Sequence, residues 1–408
     1  MDWEIGPPLR ARRRIGAIRC VLPLTRILAV SHTAVWPARS GAAIRRLMTI
    51  RALQKCSRVD VLHLGEFDED PAMPSDFDGT SLVVPVAQRK LSLAEKLGWF
   101  ILPTRPLQCL TWQPLPRQFL TSSYDLTWFF RPITYALAPA GTDVRVVDLE
   151  DLEDKKIRDR HRSQPGRYTR RRFVESRNAK GWSRYHKRVS VTVGAVTVCS
   201  DNDRRAFKAD NCYVVPNGYP DAPDGARAAP DAGVALFVGL FEYGPNLDAA
   251  RFFIEHVHPL ILALEPSYRI RLVGRGAMVK GFSDTPGVTV VGEVADLAGE
   301  YQRATLAVAP ILDGGGTRVK ILEAFARRVP VVSTTVGASG LAVAHGRHAL
   351  LADSAEAFAN SCVELIRDPR LAQRLASAGY RFYRKRYSQE TVDRAVRAVV
   401  AAALGNGP

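Results

Sequence analysis

Between residues 310 and 326 the chain reads Pro-Ile-Leu-Asp-Gly-Gly-Gly-Thr-Arg-Val-Lys-Ile-Leu-Glu-Ala-Phe-Ala. An apolar run at 306–309 stands directly before it and is typical of a buried strand. The three glycines interrupt the strand, and residues 317–328 are predicted to form the helix that follows. In this order of strand, glycine loop and helix, a ligand can meet the backbone at the amino end of the helix.

The glycine loop has the chemistry of an anion site. Gly314, Gly315 and Gly316 carry no side chain, so a ligand can approach their backbone closely. Thr317 and the residues after it supply the first N–H groups of the helix, which have no partner inside it and favour negative charge. The loop is therefore predicted to hold phosphate groups, although glycine runs before helices also occur without any ligand.

Three charged side chains occupy the first turns of this helix. Arg318 and Lys320 add positive charge, and Glu323 lies three residues after Lys320, near the same helix face. A diphosphate fits the glycines and Lys320, and a sugar diol fits a carboxylate that accepts two hydrogen bonds. The pattern indicates a nucleoside-diphosphate site, but a surface ion pair between Lys320 and Glu323 explains the spacing equally well. No Gly-Lys-Ser/Thr follows the glycines, which excludes a Walker loop.

Short apolar runs alternate with helical stretches on both sides of this motif. Such alternation predicts parallel sheets covered by helices on both faces. The predicted fold class is α/β, with two Rossmann-like, doubly wound parallel-sheet domains facing a cleft where ligands meet the carboxyl ends of the strands. The predicted strands are 27–30, 59–64, 81–86, 126–130, 144–147, 195–199, 212–215, 234–238, 270–273, 288–291, 306–309, 329–332 and 349–351. The main predicted helices are 41–56, 246–264, 317–328, 355–367, 370–387 and 389–404, and residues 91–120 are expected to be helical in pieces.

Composition shifts divide the chain into segments. Residues 1–25 are a basic leader, expected to be disordered, because the apolar piece at 15–24 is broken by Arg19 and Pro23 and does not fit a signal peptide. Residues 26–215 form the first domain, and the segment 216–233, rich in proline and glycine, is a linker. Residues 234–387 form the second domain, and residues 388–408 are expected to form a helix that packs back on the first.

Net charge is the unusual feature of the composition. The 408 residues carry a net charge of +16, and residues 1–215 hold 36 basic against 22 acidic side chains. The window from Lys155 to Arg188 alone has 14 basic residues against Asp159 and Glu175. A solvated face, an anionic membrane surface or lipid pyrophosphate, and a nucleic acid all remain as interpretations of this window.

The sequence contains neither a long apolar run nor paired cysteines. No 18 consecutive apolar residues occur, so a spanning helix is not expected. The six cysteines contain no CxxC pair, which argues against a zinc ribbon and favours a reducing compartment. The expected location is cytoplasmic, in part peripheral on the cytoplasmic face of the inner membrane.

Several segments of the second half carry a family resemblance. They are LFVGLFEYGPNLDA at 236–249, RLVGRG at 271–276, VTVVGEV at 288–294, residues 309–326 quoted above, and VVSTTVGASGL at 331–341. Together they make most of residues 234–387 resemble the donor domain of group 1, family-four glycosyltransferases of the GT-B fold. The first half resembles the acceptor domain of that family more loosely, at residues 27–31, 37–42, 146–150, 197–200 and 214–218.

The resemblance implies sugar transfer from a nucleotide-sugar donor, usually with retention of configuration and without a bound metal or other cofactor. Glu323 matches the second glutamate of the family's paired-glutamate motif, which implies that it holds the donor ribose. Lys320, Arg318 and the backbone of residues 314–317 would hold the diphosphate. Gly239 would lie on the turn after the first donor-domain strand, and Gly41 on the loop of the first domain that faces the leaving phosphate.

Further candidates come from positions where this sequence departs from the family's pattern, and from residues that follow the predicted strands. The family's first glutamate falls at Gly315, so Asp313 is taken as its substitute and as a catalytic candidate. His32 follows the first strand at the cleft end and is the second catalytic candidate. Asp148 is kept from an acidic run as an acceptor-site residue, although a solvated loop also explains the run, and no metal site is expected.

The function predicted from the sequence is glycosyl transfer in the biosynthesis of a polysaccharide, glycolipid or cell-envelope glycan. The partners are a nucleotide-sugar donor, a saccharide or lipid-linked acceptor, and an anionic membrane surface that meets Lys155 to Arg188, while a nucleic acid is disfavoured. Two alternatives remain: a nucleotide-sugar epimerase on the same fold, and a basic nucleic-acid-binding protein without enzymatic activity.

Overall fold

The computed structural model describes residues 25–38, 40–65, 74–75, 77–86, 90–104, 106, 109, 124–138, 143–163, 170–222, 227–313 and 319–405. The leader expected at 1–25 lies outside these residues except for Thr25. The central glycine loop at 314–318 and much of the stretch 91–120, expected to be helical in pieces, also lie outside them.

The first domain is built on a fully parallel sheet in the order β3-β2-β1-β4-β5-β6-β7. The strands are nearly continuous apolar runs because both faces of the sheet are covered. They are β1 (Arg26–Ser31), β2 (Arg58–Leu64), β3 (Ser81–Val84), β4 (Leu126–Phe130), β5 (Val144–Asp148), β6 (Ala195–Val198) and β7 (Cys212–Val214).

The second domain repeats this design with the parallel order β10-β9-β8-β11-β12-β13. Its strands are β8 (Val234–Val238), β9 (Arg269–Val273), β10 (Val288–Gly292), β11 (Leu306–Ala309), β12 (Val331–Ser333) and β13 (Leu350–Leu351). The order of both sheets reverses direction beside the first strand, at β1 and β8, which is where doubly wound folds bind ligands.

The helices of the first domain are α1 (Gly41–Gln54), α2 (Leu93–Ile101), α3 (Pro132–Leu137), α4 (Glu153–Ser163), α5 (Arg170–Ser190) and α6 (Asp201–Phe207). Those of the second are α7 (Gly244–Phe252), α8 (His258–Leu264), α9 (Ala298–Arg303), α10 (Val319–Ala326), α11 (Ala355–Arg367), α12 (Pro369–Arg386) and α13 (Gln389–Ala403). A π-helical turn, Phe253–Val257, joins α7 to α8, and a 3₁₀ helix, Ala277–Phe282, follows β9.

The predicted fold class is confirmed, with two doubly wound parallel sheets. Some strand boundaries differ from the predicted ones, because a left-handed residue or a proline shifts the start of the strand. The strand expected at 329–332 starts only at Val331, because Arg328 closes α10 in the left-handed region (φ 56°) and Pro330 has no N–H to donate. The basic window between Lys155 and Arg188, left open above, is mostly helical and forms most of α4 and α5.

The last helix, α13, belongs to the core of the first domain although it ends the chain. Val392, Val396, Val399 and Val400 are buried together with strand residues of the first sheet. The amide of Gln389 also donates to the carbonyl of Met48 in α1 (2.9 Å). The chain therefore crosses twice between the domains, once after β7 and once between α12 and α13.

Candidate active site

Helix α1 buries two charged side chains. Its apolar residues Ile44 and Leu47 are only half-buried, whereas Arg45 and Arg46 are 3% and 2% exposed. A guanidinium is tolerated in such a place only with charged or hydrogen-bonding partners. Both arginines find them at the carboxyl end of β5.

Asp148, the last residue of β5, forms a bidentate ion pair with Arg45. Nε and Nη2 of Arg45 each donate to one carboxylate oxygen at 2.8 Å, and the Thr197 hydroxyl donates at 2.9 Å. The backbone N–H of Glu150 donates as well (3.0 Å), and Asp148 is fully buried. Its carboxylate is thus occupied inside the protein. This corrects the acceptor-site role predicted for Asp148, because no face of the carboxylate is left for a ligand.

The side chains at the cleft end of the first sheet are His32, Arg46, Arg131 and Glu150. Arg46 donates to Thr33 Oγ1 (2.6 Å) and to Glu150 Oε1 (2.9 Å), and Arg131 Nε lies 3.7 Å from the other oxygen of Glu150. Glu150 therefore separates two guanidinium groups that would otherwise repel each other. We refer to these four residues as the His32 cluster.

Backbone strain accompanies the His32 cluster. Arg131 and Glu150 both adopt left-handed backbone conformations, with φ of 72° and 56°. Non-glycine residues rarely take this conformation, which costs of the order of 1 kcal/mol or more and concentrates at functional sites. The turns after β4 and β5 thus hold the side chains of Arg131 and Glu150 at the sheet edge by means of positive φ angles.

His32 is held uncharged in this cluster. Burial, with the positive charges of Arg46 and Arg131, lowers the pKa of His32 to about 3. Its Nδ1 is buried and has no hydrogen-bond partner among the residues that the structure describes. A neutral imidazole with one nitrogen unused can accept a proton or a hydrogen bond from a ligand hydroxyl.

The low pKa of His32 predicts a loss of stability in mild acid. The pKa of His32 in the folded protein lies below its ordinary value of 6.5, so between these two pKa values the unfolded chain binds a proton that folded His32 does not. The stabilising contribution is complete above pH 6.5 and is lost as the pH falls towards 3. Between about pH 7.5 and about pH 5 the parent should lose roughly 2 kcal/mol of unfolding free energy through this group.

Urea unfolding at both pH values checks this prediction against the variant His32→Gln, which cannot titrate. His63, whose pKa is lowered to about 4 mainly by burial, is present in both proteins, so its contribution cancels in the comparison. Equal losses in parent and variant would show that His32 is already charged in the folded protein.

The other acidic side chains after β5 are also paired with cations. Asp151 lies 2.9 Å from Lys156 Nζ, Glu153 accepts from Arg131 (2.8 Å), and Asp154 pairs with Arg158 and faces His186. Within the described ranges, no three His, Cys, Asp or Glu side chains are grouped as metal ligands would be. The run serves here to neutralise buried and half-buried arginine and lysine.

In the second domain, glycines shape the carboxyl edge of the sheet around β8. Gly239, directly after β8, is approached so closely by Gly274 that a side-chain carbon at 274 would lie 1.9 Å from the Gly239 carbonyl oxygen. Gly274 and Gly276 also have φ of 137° and 151°, a region that residues with side chains avoid. The turns after β8 and β9 therefore pack backbone against backbone.

Lys320 in the first turn of α10 reaches this edge. Its ammonium donates to Asn246 Oδ1 (2.9 Å) and lies 4.7 Å from the ring centre of Phe237. A side-chain carbon at Gly239 would lie 3.5 Å from Lys320 Nζ. The structure thus brings together Lys320 and Gly239, two residues predicted to bind the donor that lie 81 positions apart.

Glu323 lies deeper than its predicted role implies. Its carboxylate is 5% exposed and accepts a hydrogen bond from the hydroxyl of Tyr219 in the linker, with Arg327 Nε 3.9 Å away. Burial raises the pKa of Glu323, and the contacts with Tyr219 and Arg327 only partly oppose this effect. Lys320 and Glu323 were expected near one helix face, but in the structure they bind different partners: Lys320 contacts Asn246, and Glu323 contacts Tyr219.

The two domains meet between the amino ends of α1 and α10. A side-chain carbon at Gly41, the first residue of α1, would lie 3.0 Å from Cγ2 of Val319, the first residue of α10. Gly41 therefore stands beside the end of the predicted phosphate loop. Asp313 is described on the β11 side of that loop and is half-buried, while Gly314, Gly315, Gly316, Thr317 and Arg318 lie outside the described residues.

Comparison with known proteins agrees with this geometry. Residues 232–368 match the family model described as "Glycosyl transferases group 1". The C-terminal domain belongs to the group 1 glycosyl transferases. The glycine-lined edge with Lys320, Gly239 and Asn246 therefore lies in the part of the chain that matches this family, as predicted for the second half.

Solved structures show the same two-domain fold. The chain superimposes on sucrose-phosphate synthase from Thermosynechococcus elongatus with a TM-score of 0.65 and 19% identity, over 93% of this chain and 100% of the other. It superimposes on Anabaena HepE, solved in complex with UDP and glucose, with a TM-score of 0.57 and 13% identity over the same shares. The GT-B fold is thus confirmed for both halves of the chain.

One curated relative adds context. It is an uncharacterized 44.6 kDa protein in the cps region of Klebsiella pneumoniae, 23% identical over 167 residues. The match covers 38% of this chain and 43% of the relative, so the chain spans less than half of that protein's length.

Sequence reasoning missed several residues of the candidate site. Asn246 stands in the quoted segment 236–249, but its contact with Lys320 joins α7 to α10, and the sequence does not show that these helices are neighbours. Arg46 and Arg131 were missed because single arginines carry no spacing signal. Arg45 and Arg46, which stand between Ile44 and Leu47 in α1, were the available hint, since an amphipathic helix does not normally bury such residues.

Proposed function

We propose that the protein is a glycosyltransferase that moves a sugar from a nucleoside-diphosphate donor to an acceptor at the cleft between its domains. The observation that carries the proposal is the Lys320 ammonium, held beside Gly239 at the carboxyl edge of the second sheet. A fixed cation next to bare backbone suits a diphosphate, because it neutralises charge without filling the space that the phosphates need. Arg318 and the backbone of Gly314, Gly315, Gly316 and Thr317 are proposed to complete the phosphate contacts.

The first domain is proposed to receive the acceptor at the His32 cluster. The Nδ1 of neutral His32 would accept a hydrogen bond from the attacking hydroxyl or from the reacting sugar. Asp313, on the β11 side of the loop, is proposed to face the same sugar in place of the family's first glutamate. The acceptor oxygen then bonds to the anomeric carbon as the bond to the diphosphate breaks, and the hydroxyl proton leaves with the phosphate or passes to His32.

Three finer points also remain proposals. Transfer with retention and without a metal follows from the family resemblance. The acceptor is proposed to be a saccharide or a lipid-linked saccharide, and the likeness to a protein in a cps region supports a role in polysaccharide assembly. Contact of Lys155 to Arg188 with an anionic membrane is proposed because this window carries 14 basic side chains against two acidic ones. No described helix is long and apolar enough to cross a bilayer.

The ribose contact is tested with a matched pair of variants. Glu323→Ala should weaken nucleoside-diphosphate binding about tenfold or more, because a hydrogen bond to a charged group contributes about 1.5–3 kcal/mol. Tyr219→Phe breaks the same Tyr219–Glu323 contact but keeps the carboxylate, so its affinity should equal or exceed that of the parent. Calorimetry with UDP and with GDP measures both.

Equal losses in the two variants would mean that the contact, rather than the carboxylate, supports binding, and Glu323 would then be structural. Release of nucleoside diphosphate from UDP-sugars and GDP-sugars, followed with and without saccharide acceptors, tests the reaction itself. Conversion of the donor sugar without transfer to any acceptor would favour the epimerase alternative.

A further inference from the structure

Helix α2 carries its apolar face on the outside of the molecule. Leu93, Leu97, Phe100 and Ile101 follow the spacing i, i+4, i+7 and i+8 and are 74%, 54%, 42% and 78% exposed. Trp99, on the opposite side, is buried. In a globular protein the apolar stripe of a helix normally faces the core, so an outward stripe of this kind marks a surface with a partner.

The helix is well formed in spite of this exposure. Ser92 caps its amino end in a reciprocal capping box with Glu95. At the carboxyl end, Arg177 of α5 donates to the carbonyls of Phe100 and Ile101, the latter at 2.6 Å. Arg184 of α5 donates to the carbonyl of Pro103 (3.1 Å). These contacts fix α2 alongside α5 while leaving its apolar stripe uncovered.

Helix α5 places positive charge next to that stripe. Phe173, Arg177, Lys180, Arg184 and Lys187 recur at i, i+4, i+7, i+11 and i+14, which is one face of a helix. Lys180, Arg184 and Lys187 are exposed and Phe173 is 39% exposed, whereas the apolar residues of α5 are used elsewhere. Ala179, Trp182, Tyr185 and Val189 pack into the core of the first domain.

We propose that the apolar stripe of α2 and the basic stripe of α5 together dock the first domain onto an anionic lipid bilayer. Apolar side chains on a short helix enter the boundary between headgroups and acyl chains, and adjacent cations pair with lipid phosphates. Either feature alone gives weak attachment, whereas the two side by side reinforce each other. Here Leu97 and Ile101 supply the apolar side chains, and Lys180 and Lys187 supply the cations.

The observations favour a bilayer over other partners. A nucleic acid would use the cations of α5 but would leave Leu93, Leu97 and Ile101 in water. A second copy of the chain would bring two strongly basic windows together, because Lys155 to Arg188 carries 14 basic and two acidic side chains. A bilayer with anionic headgroups can bury the apolar stripe of α2 and pair with the basic stripe of α5.

The docking surface lies close to the proposed acceptor site. Tyr185 on the buried side of α5 donates its hydroxyl to the carbonyl of Pro132 (3.4 Å), next to Arg131 of the His32 cluster. A bilayer on the outer side of α5 would therefore present a lipid-linked acceptor near this edge of the first sheet. The inference deepens the membrane contact included in the proposed function, and it rests on the proposed acceptor site for this last step, since docking itself needs no donor.

The test is sedimentation of the full chain with phosphatidylcholine vesicles, with and without phosphatidylglycerol, at low and high salt. The parent should bind the anionic vesicles at low salt and the neutral ones far less. Leu97→Gln with Ile101→Gln, and separately Lys180→Gln with Lys187→Gln, should each weaken binding about tenfold or more. The matched controls in the second domain are Leu264→Gln for lost apolar surface and Arg370→Gln with Arg374→Gln for lost charge.

Binding that persists unchanged in both variant pairs, or a parent that ignores anionic vesicles, would overturn the proposal. Tight, salt-sensitive binding of RNA without vesicle binding would assign the basic stripe to nucleic acid instead. Nucleoside-diphosphate affinity, measured without vesicles, should stay at the parental value in every variant. That readout separates a failure of the docking surface from a failure of the proposed donor site.

Discussion

The Asp148→Ala variant is expected to lose about 3–5 kcal/mol of unfolding free energy, which is the usual effect of removing one partner from a buried ion pair. The variant leaves the guanidinium of Arg45 only 3% exposed and without its counter-charge. The Thr197 hydroxyl and the Glu150 N–H lose their acceptor as well. Urea unfolding followed by circular dichroism measures the change.

Two further variants isolate the cause. Asp143→Ala, near the start of the same strand, removes a less buried partner of Arg145 and should change stability by about 1 kcal/mol or less. Replacing both partners, Arg45→Met with Asp148→Leu, should recover much of the loss, because no uncompensated charge then remains inside. An Asp148→Ala protein as stable as the parent but unable to bind acceptor would restore the acceptor role.

Replacing Lys320 should produce the second large effect. Lys320→Met keeps the apolar stem beside Phe237 but removes the ammonium that lies next to Gly239. Loss of charged hydrogen bonds to phosphate should weaken nucleoside-diphosphate binding by about 1.5–3 kcal/mol, which is roughly tenfold to more than a hundredfold. The corresponding nucleoside, which has no phosphates, should bind the variant as it binds the parent.

Calorimetry with matched pairs, UDP against uridine and GDP against guanosine, gives both numbers. Asn246→Ala is the control, because it removes the partner that now holds Lys320 and leaves the charge in place. It should weaken diphosphate binding much less than Lys320→Met does. If the nucleoside and the diphosphate lose affinity equally in Lys320→Met, the side chain shapes the pocket rather than meeting phosphate.

Much of the fold could be predicted because its signal is local. An apolar run such as Val234–Val238 is nearly the same strand in the sequence and in the structure, since a strand buried on both faces needs continuous apolar residues. The boundaries that moved are those set by turns, as at Arg328 and Val331. The direction of the apolar face of α2 could not be predicted, because periodicity defines a face without saying what it meets.

The candidate site also contains residues that the sequence predicts and contacts that it does not. Lys320 could be proposed from the sequence, since a glycine loop and a cation at a helix start imply an anion whatever lies around them. Gly239 could be proposed only from the family resemblance. The surroundings of Glu323 could not be proposed, because its partner Tyr219 lies 104 positions away in the linker. Lys320, similarly, is held by Asn246 from 74 positions away.

By itself the sequence determined the α/β class, the two parallel-sheet domains and the resemblance of the second domain to group 1 glycosyl transferases. The tertiary structure alone decided which charges are buried and which are available. Asp148 and Glu150 stand two positions apart in one acidic run, yet Asp148 is fully buried against Arg45 and Glu150 lies between two arginines at the cleft. A buried charge is stable only beside a counter-charge. Arg45 lies 103 positions from Asp148 in the sequence, and only the packing of α1 on the first sheet brings the two side chains together.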